Sequence, residues 1–181
     1  MTSEDDKNKQ WFVMRDLKRT NAKQPAYRLL AEQQVEVFTP MKWTLVTSRG
    51  KKVRKEVPFL QDLVFVHDTR EKIDPIVAKC PTLQYRFLRK TYRKPMTVPT
   101  SEMERFIHAV SSSESPRYYL PEEITPDMYS RKIRIVGGPL DGYEGCLLTM
   151  RGSKVKRLLV ELPNLLTAGV EVSPEYIQLV K

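Results

Sequence analysis

Trp11-Phe12-Val13-Met14 is a short run of strand formers and predicts the first ordered element. Asp16 to Thr20 is polar and reads as an exit loop. Ala22, Ala26, Leu29 and Leu30 then recur at i, i+4, i+7 and i+8, the stripe of an amphipathic helix. Asn21 is placed to cap it, and Pro25 lies near enough to its start to be tolerated. Val35, Val37 and Phe38 predict a second strand, closed by Pro40. Ser48-Arg49-Gly50 marks a turn flanked by Trp43, Leu45 and Val46 on one side and Val53 and Val57 on the other, which predicts a hairpin. Leu63-Val64-Phe65-Val66 predicts a buried strand. Ile73, Ile76, Val77 and Cys80 repeat a helical stripe, which Asp74-Pro75 is expected to open and Pro81 to stop. Tyr85, Phe87 and Leu88 suggest another strand. A capping box from Ser101 to Glu104 leads into a third helix striped by Met103, Phe106, Ile107 and Val110.

The order β-α-β-β-α-β-α predicts an α+β sandwich of ferredoxin-like type, an antiparallel sheet with helices packed on it. From Arg131 onward the helical period is gone. Short strands alternate with turns at Gly138-Pro139, Arg151-Gly152-Ser153, Pro163-Asn164 and Ala168-Gly169. About fifty residues in five short strands predict a small closed barrel. Between the two, Ser111-Ser112-Ser113-Glu114-Ser115-Pro116 breaks the composition. The expected layout is a disordered tail over 1–9, an α+β domain over 10–110, a linker over 111–128 and a β-barrel over 129–181.

Charge sharpens this picture. The chain of 181 residues is 40% hydrophobic and carries a formal net charge of +9, which favours a polyanionic partner. The hairpin holds Lys42, Arg49, Lys51, Lys52, Arg54 and Lys55, with Glu56 its one acid. Arg15, Lys18, Arg19 and Lys23 surround the exit of the first strand and the start of the first helix, where cations grip phosphates and nearby aromatics stack on bases. Arg151, Lys154, Lys156 and Arg157 gather at one hairpin of the barrel. Cys80 and Cys146 lie far apart in apolar runs and read as buried thiols of a reducing compartment. His67 and His108 have no companions at metal-ligand spacing, and no phosphate-cradling or nucleophile motif is present, so neither enzyme nor cofactor is expected. The polar start lacks the apolar core of a secretory signal, and no apolar run reaches membrane-spanning length, so the expected location is the cytoplasm.

Lys132 to Gly145 is the most informative run. Ile133 and Ile135 alternate with Lys132 and Arg134, Gly137-Gly138-Pro139 reverses the chain, and Gly142 and Gly145 bracket Tyr143 and Glu144. The order basic strand, Gly-Pro, x-x-Gly-x-x-Gly, apolar strand resembles the KOW motif of small nucleic-acid-associated barrels. Four features in sequence resemble the NusG family of transcription elongation factors, over residues 11–181. They are Trp11 to Met14; the basic hairpin leading to Phe59 and Leu63-Val64-Phe65-Val66; Lys94-Pro95-Met96-Thr97-Val98-Pro99; and the Gly138 to Gly145 motif. Leu162 to Val172 followed by Ser173-Pro174-Glu175-Tyr176-Ile177 looks most like the specialised antiterminators of UpxY and RfaH type.

The resemblance implies an NGN-type α+β domain followed by an SH3-like KOW barrel. It implies a monomeric antitermination factor, operon-specific and often tied to surface polysaccharide clusters. An apolar patch drawn from Phe12, Phe59, Leu60 and Leu63 would meet the clamp helices of RNA polymerase. Basic residues Arg15, Lys18, Arg19, Lys23, Lys51, Lys52, Arg54 and Lys55 would face upstream or non-template DNA or nascent RNA. Leu165 and Leu166, in an exposed loop of the barrel, would recruit NusE or Rho. The chain departs from the family at Phe59-Leu60-Gln61-Asp62, where Phe-Pro-Gly/Ser-Tyr is usual. The alternative reading is a KOW-containing ribosomal RNA-binding protein.

Overall fold

A computed structural model of the protein describes residues 8–18, 24–89, 91, 93–148 and 152–180. The chain divides into two compact units between Met103 and Glu104. The first is built on Gln10–Asp16 (β1). This strand pairs antiparallel with Leu63–Asp68 (β5) at six positions, from Gln10↔Asp68 to Arg15↔Leu63. Leu83–Tyr85 (β6) and Thr97–Val98 (β7) also pair with β1, and Glu36–Phe38 (β2) lies outside β5. Side chains alternate across the sheet. Phe12, Met14, Val64 and Val66 share one buried cluster with Ala26 and Leu30 of the helix Ala26–Glu32 (α1) and Ile73 of the helix Arg70–Lys79 (α2). Trp11, Val13, Leu63 and Phe65 take the opposite face and are buried as well. Burial on both faces is why these strands read as unbroken apolar runs.

The helix starts differ from expectation. α1 begins at Ala26, after Pro25 in extended conformation, and the expected cap Asn21 lies outside the described residues. The first turn is held instead by Asp16, whose Oδ2 accepts the Ala26 N–H at 2.6 Å from the end of β1. α2 begins at Arg70 and not at Asp74, because the Thr69 carbonyl accepts the N–H groups of Lys72 and Ile73. Pro75 therefore sits inside α2, exposed on its outer face. There water can reach the carbonyl that the missing N–H leaves free. The third helix, Thr100–Ser111 (α3), starts ahead of Ser101, with the Pro99 carbonyl accepting from Glu102 and Met103.

Met41–Ser48 (β3) and Lys51–Pro58 (β4) form a separate two-stranded sheet, paired at eight positions from Met41↔Pro58 to Ser48↔Lys51. Its tip has both central residues at positive φ, Arg49 at 49° and Gly50 at 76°. That is the geometry of the two-residue turn whose twist matches paired strands, and it suits Asn-Gly best. Arg49 is the strained partner.

The second unit contains an antiparallel ladder in the order β13-β9-β10-β11-β12-β8. The strands are Arg117–Tyr119 (β8), Tyr129–Ile135 (β9), Glu144–Leu148 (β10), Arg157–Leu162 (β11), Leu166–Glu171 (β12) and Ile177–Leu179 (β13). Ile133, Ile135, Leu158, Val160, Leu162, Leu166, Ala168 and Val170 are buried. Gly145 is required by close approach: a Cβ there would stand 2.7 Å from the Leu159 carbonyl oxygen. The stretch 111–128, expected as a linker, supplies β8, whose Tyr118 pairs with Ala168. Five strands were expected from 129 onward, and β8 adds a sixth to the ladder.

Arg157 was expected in a basic cluster with Arg151, Lys154 and Lys156 at one hairpin. It is buried, and its guanidinium donates to Glu171 Oε1 at 2.6 Å across the β11–β12 pair. A buried charge needs its partner more than the pair needs to exist. Glu171→Ala is therefore expected to lower unfolding free energy by about 2 kcal/mol in urea denaturation, and Arg157→Met in the same background to recover part of it. At the other unit's hairpin tip, Gly50→Val is expected to accelerate amide exchange in β3 and β4 while leaving β1 and β5 unchanged. Uniform acceleration would contradict an independent hairpin.

Candidate nucleic-acid and polymerase interface

The β3–β4 hairpin carries six cations against one acid, and its side chains are exposed on both faces. Lys51, Lys52, Arg54 and Lys55 are all exposed, as sequence reading placed them. What the sequence did not disclose is that Trp43 and Leu45 are exposed too, at 46% and 68%. Their alternation on β3 is the signal of a strand with one apolar face, and it carries no information on whether anything covers that face. Directly paired residues share a face, so Trp43, Leu45 and Thr47 stand with Glu56, Arg54 and Lys52. The Arg54 guanidinium lies over the Trp43 ring, 4.5 Å from its centroid. Lys42 stands 5.2 Å from the centroid of Phe59 at the hairpin's root.

The expected apolar patch separates into two kinds of residue. Phe59 and Leu60 are half-buried in the turn after β4, where the Phe59 N–H donates to the Pro40 carbonyl at 2.7 Å. Phe12 and Leu63, expected beside them, are only 2% exposed each. Phe12 meets Tyr85 edge-on with centroids 5.5 Å apart, inside the cluster under the helices. A side chain that completes a two-sided core cannot also face a partner in this arrangement.

Asp62, the departure noted above, bridges two cations. Its Oδ2 lies 3.4 Å from Arg15 Nε and 3.2 Å from Arg86 Nη2. All three side chains are partly exposed, so each ion pair contributes no more than about 1 kcal/mol. Their effect is on the surface field, since Arg15 is exposed yet half-neutralised. Lys18 directs its Nζ to the Gln24 carbonyl at 2.8 Å. Arg19 and Lys23 lie outside the described residues. Phe87, expected in a strand with Tyr85 and Leu88, lies beyond the end of β6, is exposed and has its ring 6.4 Å from Tyr85.

In the second unit, Leu166 opens β12 and is fully buried, while Leu165 is half-buried in the turn. Asn164 at φ 61° makes that turn. Of the expected pair, Leu165 alone offers surface. The Tyr143-Glu144 step of the glycine motif is engaged by α3. The Tyr143 hydroxyl donates to the Arg105 carbonyl at 2.9 Å and meets His108 Nδ1 at 3.0 Å, and Arg105 Nη2 donates to the Glu144 carbonyl at 2.6 Å. Burial raises the Tyr143 pKa against the opposing pull of Arg105. Tyr129 is pushed up to about 12, first by its hydrogen bond to Glu161. His67 is held between a stacked Trp11 ring at 4.7 Å and Glu36 at 2.6 Å. Both cysteines are free and half-buried. Among the described residues no group of three His, Cys, Asp or Glu side chains gathers to hold a metal, and no helix is long and apolar enough to cross a membrane.

The first unit is thus an α+β unit with a sheet buried on both faces and an exposed basic hairpin, and the second unit is β-rich. Residues 9–107, more than half the chain, match the family model described as "Transcription termination factor nusG". The chain therefore belongs to the NusG family of transcription factors, non-enzymatic proteins that interact with RNA polymerase. Among solved structures it is similar to Thermotoga maritima NusG, at 12% identity over 97% of this chain and 99% of that one, with a TM-score of 0.45. A search of curated sequences gives no significant match.

Core and surface residues separate by a stability measurement. Phe12→Ala and Leu63→Ala are each expected to cost about 2–5 kcal/mol in urea denaturation. Lys51→Ala and Lys52→Ala are expected to stay within about 0.5 kcal/mol. A neutral Phe12→Ala would show that this ring is not part of the core.

Proposed function

We propose that the chain is a processive elongation and antitermination factor. It binds elongating RNA polymerase through the half-buried Phe59 and Leu60 and lays the adjoining basic hairpin along upstream or non-template DNA. The observation that carries this reading is the hairpin itself, with six cations against one acid and side chains exposed on both faces. Such a strip neutralises phosphates without reading sequence and draws a polyanion in at low salt. It is rooted where Phe59 follows β4, so a polymerase contact there would set where the arm points.

Arg15 adds a second basic point, moderated by Asp62. The second unit recruits a further protein through Leu165, with NusE or Rho as the occupants the family likeness favours. An operon-specific role rests on the likeness of 162–177 to the specialised antiterminators. Trp11, Phe12, Val13 and Leu63 serve as the rigid base.

Capture of core RNA polymerase on the immobilised chain tests this. Leu60→Asp is expected to reduce capture more than tenfold with the Tm held within a few degrees. Charge reversal of Lys51, Lys52, Arg54 and Lys55 to Glu is expected to abolish binding to free DNA and to weaken capture of elongation complexes far more than of polymerase alone. Equal capture by Leu60→Asp and the wild type would remove the contact assigned to this turn.

A further inference from the structure

Trp43 and Leu45 have no role in a strip that only follows phosphates. Duplex DNA shows its backbone and its groove edges, while the faces of its bases are covered by their neighbours in the stack. An indole at a duplex surface finds no ring to lie on. A single strand presents those faces, and basic surfaces interleaved with aromatic side chains exploit this.

The arrangement on the hairpin is of that kind. Trp43, Leu45, Thr47, Arg54 and Lys52 occupy one face of the ribbon, with Glu56 as its acid. Lys51 and Lys55 stand on the opposite face with Val46, Val53 and Val57, and none of the strand residues on that face is aromatic. The two faces therefore differ in what they can bind, although both are positive. Arg54 does more than add charge. Its guanidinium, 4.5 Å from the Trp43 centroid, holds the indole by a diagonal cross-strand contact. That contact fixes the ring before any ligand arrives and reduces the ordering cost of stacking. Trp43 keeps nearly half of its surface open while so held.

We propose that the Trp43 face of the hairpin is a stacking site for unpaired bases, so that the arm selects single-stranded nucleic acid over duplex. This rests on the hairpin's being a nucleic-acid arm and names the form of nucleic acid it takes. One base lies on the open side of the Trp43 ring, Leu45 covers the neighbouring sugar or base edge, and Lys52 and Arg54 neutralise the flanking phosphates. A protein partner would also value an exposed Trp and Arg. Six cations against one acid on this ribbon favour a polyanion instead.

The molecule contains its own probe. It has two tryptophans, and Trp11 is 1% exposed, so quenching by an oligonucleotide reports on Trp43. The full chain is titrated at low salt with an oligothymidylate of about twelve nucleotides, within the usual footprint of such surfaces, and with a duplex of equal length. Stacking predicts quenching by the single strand, tighter single-strand than duplex binding, and a loss of roughly 10- to 100-fold in single-strand affinity for Trp43→Ala. Duplex affinity should change less than twofold, and Trp43→Phe should retain most of the single-strand affinity, which separates lost stacking from a damaged hairpin.

Trp43→Ala binding the single strand as well as the wild type, while Lys51→Ala and Lys55→Ala weaken both forms, would overturn the stacking site and leave the nucleic-acid arm standing. Absence of binding to either form would overturn both. A Trp43→Ala defect confined to polymerase capture would assign the face to a protein contact and overturn the proposal.

Discussion

The pairing of β1 with β5 is the constraint on which the first unit depends. Six consecutive pairs fix which residues of each strand face the helices and which face away. A slip of one residue would exchange Phe12 and Met14 for Trp11 and Val13 and put every side chain on the wrong side. The same register sets the surface. It brings Arg15 opposite Leu63, so that neighbouring Asp62 reaches both Arg15 and Arg86. It ends β1 at Asp16, whose carboxylate then holds the first N–H of α1. β2 and β5 are paired neighbours, and the whole β3–β4 hairpin is the excursion between them.

That arrangement divides the work between rigid and exposed parts. The central strands of the sheet bury aromatic and aliphatic side chains on both faces, each contributing about 1.5–3 kcal/mol. Recognition falls to what projects: the turn at Phe59 and Leu60, the hairpin with its exposed Trp43, and Leu165 in the second unit. Charge placement follows the same logic. The exposed lysines of β4 can exchange water for phosphate at little cost, whereas Arg157, buried against Glu171, is committed to the ladder. Basic residues in similarly charged stretches thus have different roles because the lysines of β4 face solvent and Arg157 does not.

Much of this was legible beforehand. The strand runs at 11–14 and 63–66, the hairpin around Arg49-Gly50 and the β-rich C-terminal part follow from periodicity and turn chemistry. So did the exposed cations of β4, because a run of basic residues has nowhere else to go. The helix starts were not. α2 opens before Asp74-Pro75 because Thr69 supplies the first carbonyl, and α1 takes its cap from Asp16, a residue distant in sequence that only the fold brings near. The inward position of Leu166 was hidden for a related reason, and Phe12 and Leu63 fit a buried strand and a contact patch equally well on sequence. An apolar residue at a strand's edge or a turn looks the same whether it completes a core or waits for a partner, and only three-dimensional burial decides. The exposure of Trp43 was missed in the opposite sense, since its alternating neighbours suggest a covered face that the hairpin does not have.

The most direct test is amide hydrogen exchange of the full chain, alone and bound to an elongating polymerase with an exposed non-template strand. If the projecting parts make the contacts and the sheet only supports them, protection will appear over residues 41–60 and the rates in β1 and β5 will be unaltered. A bound chain whose hairpin exchanges as fast as in the free protein, with protection found elsewhere on the first unit, would contradict that division.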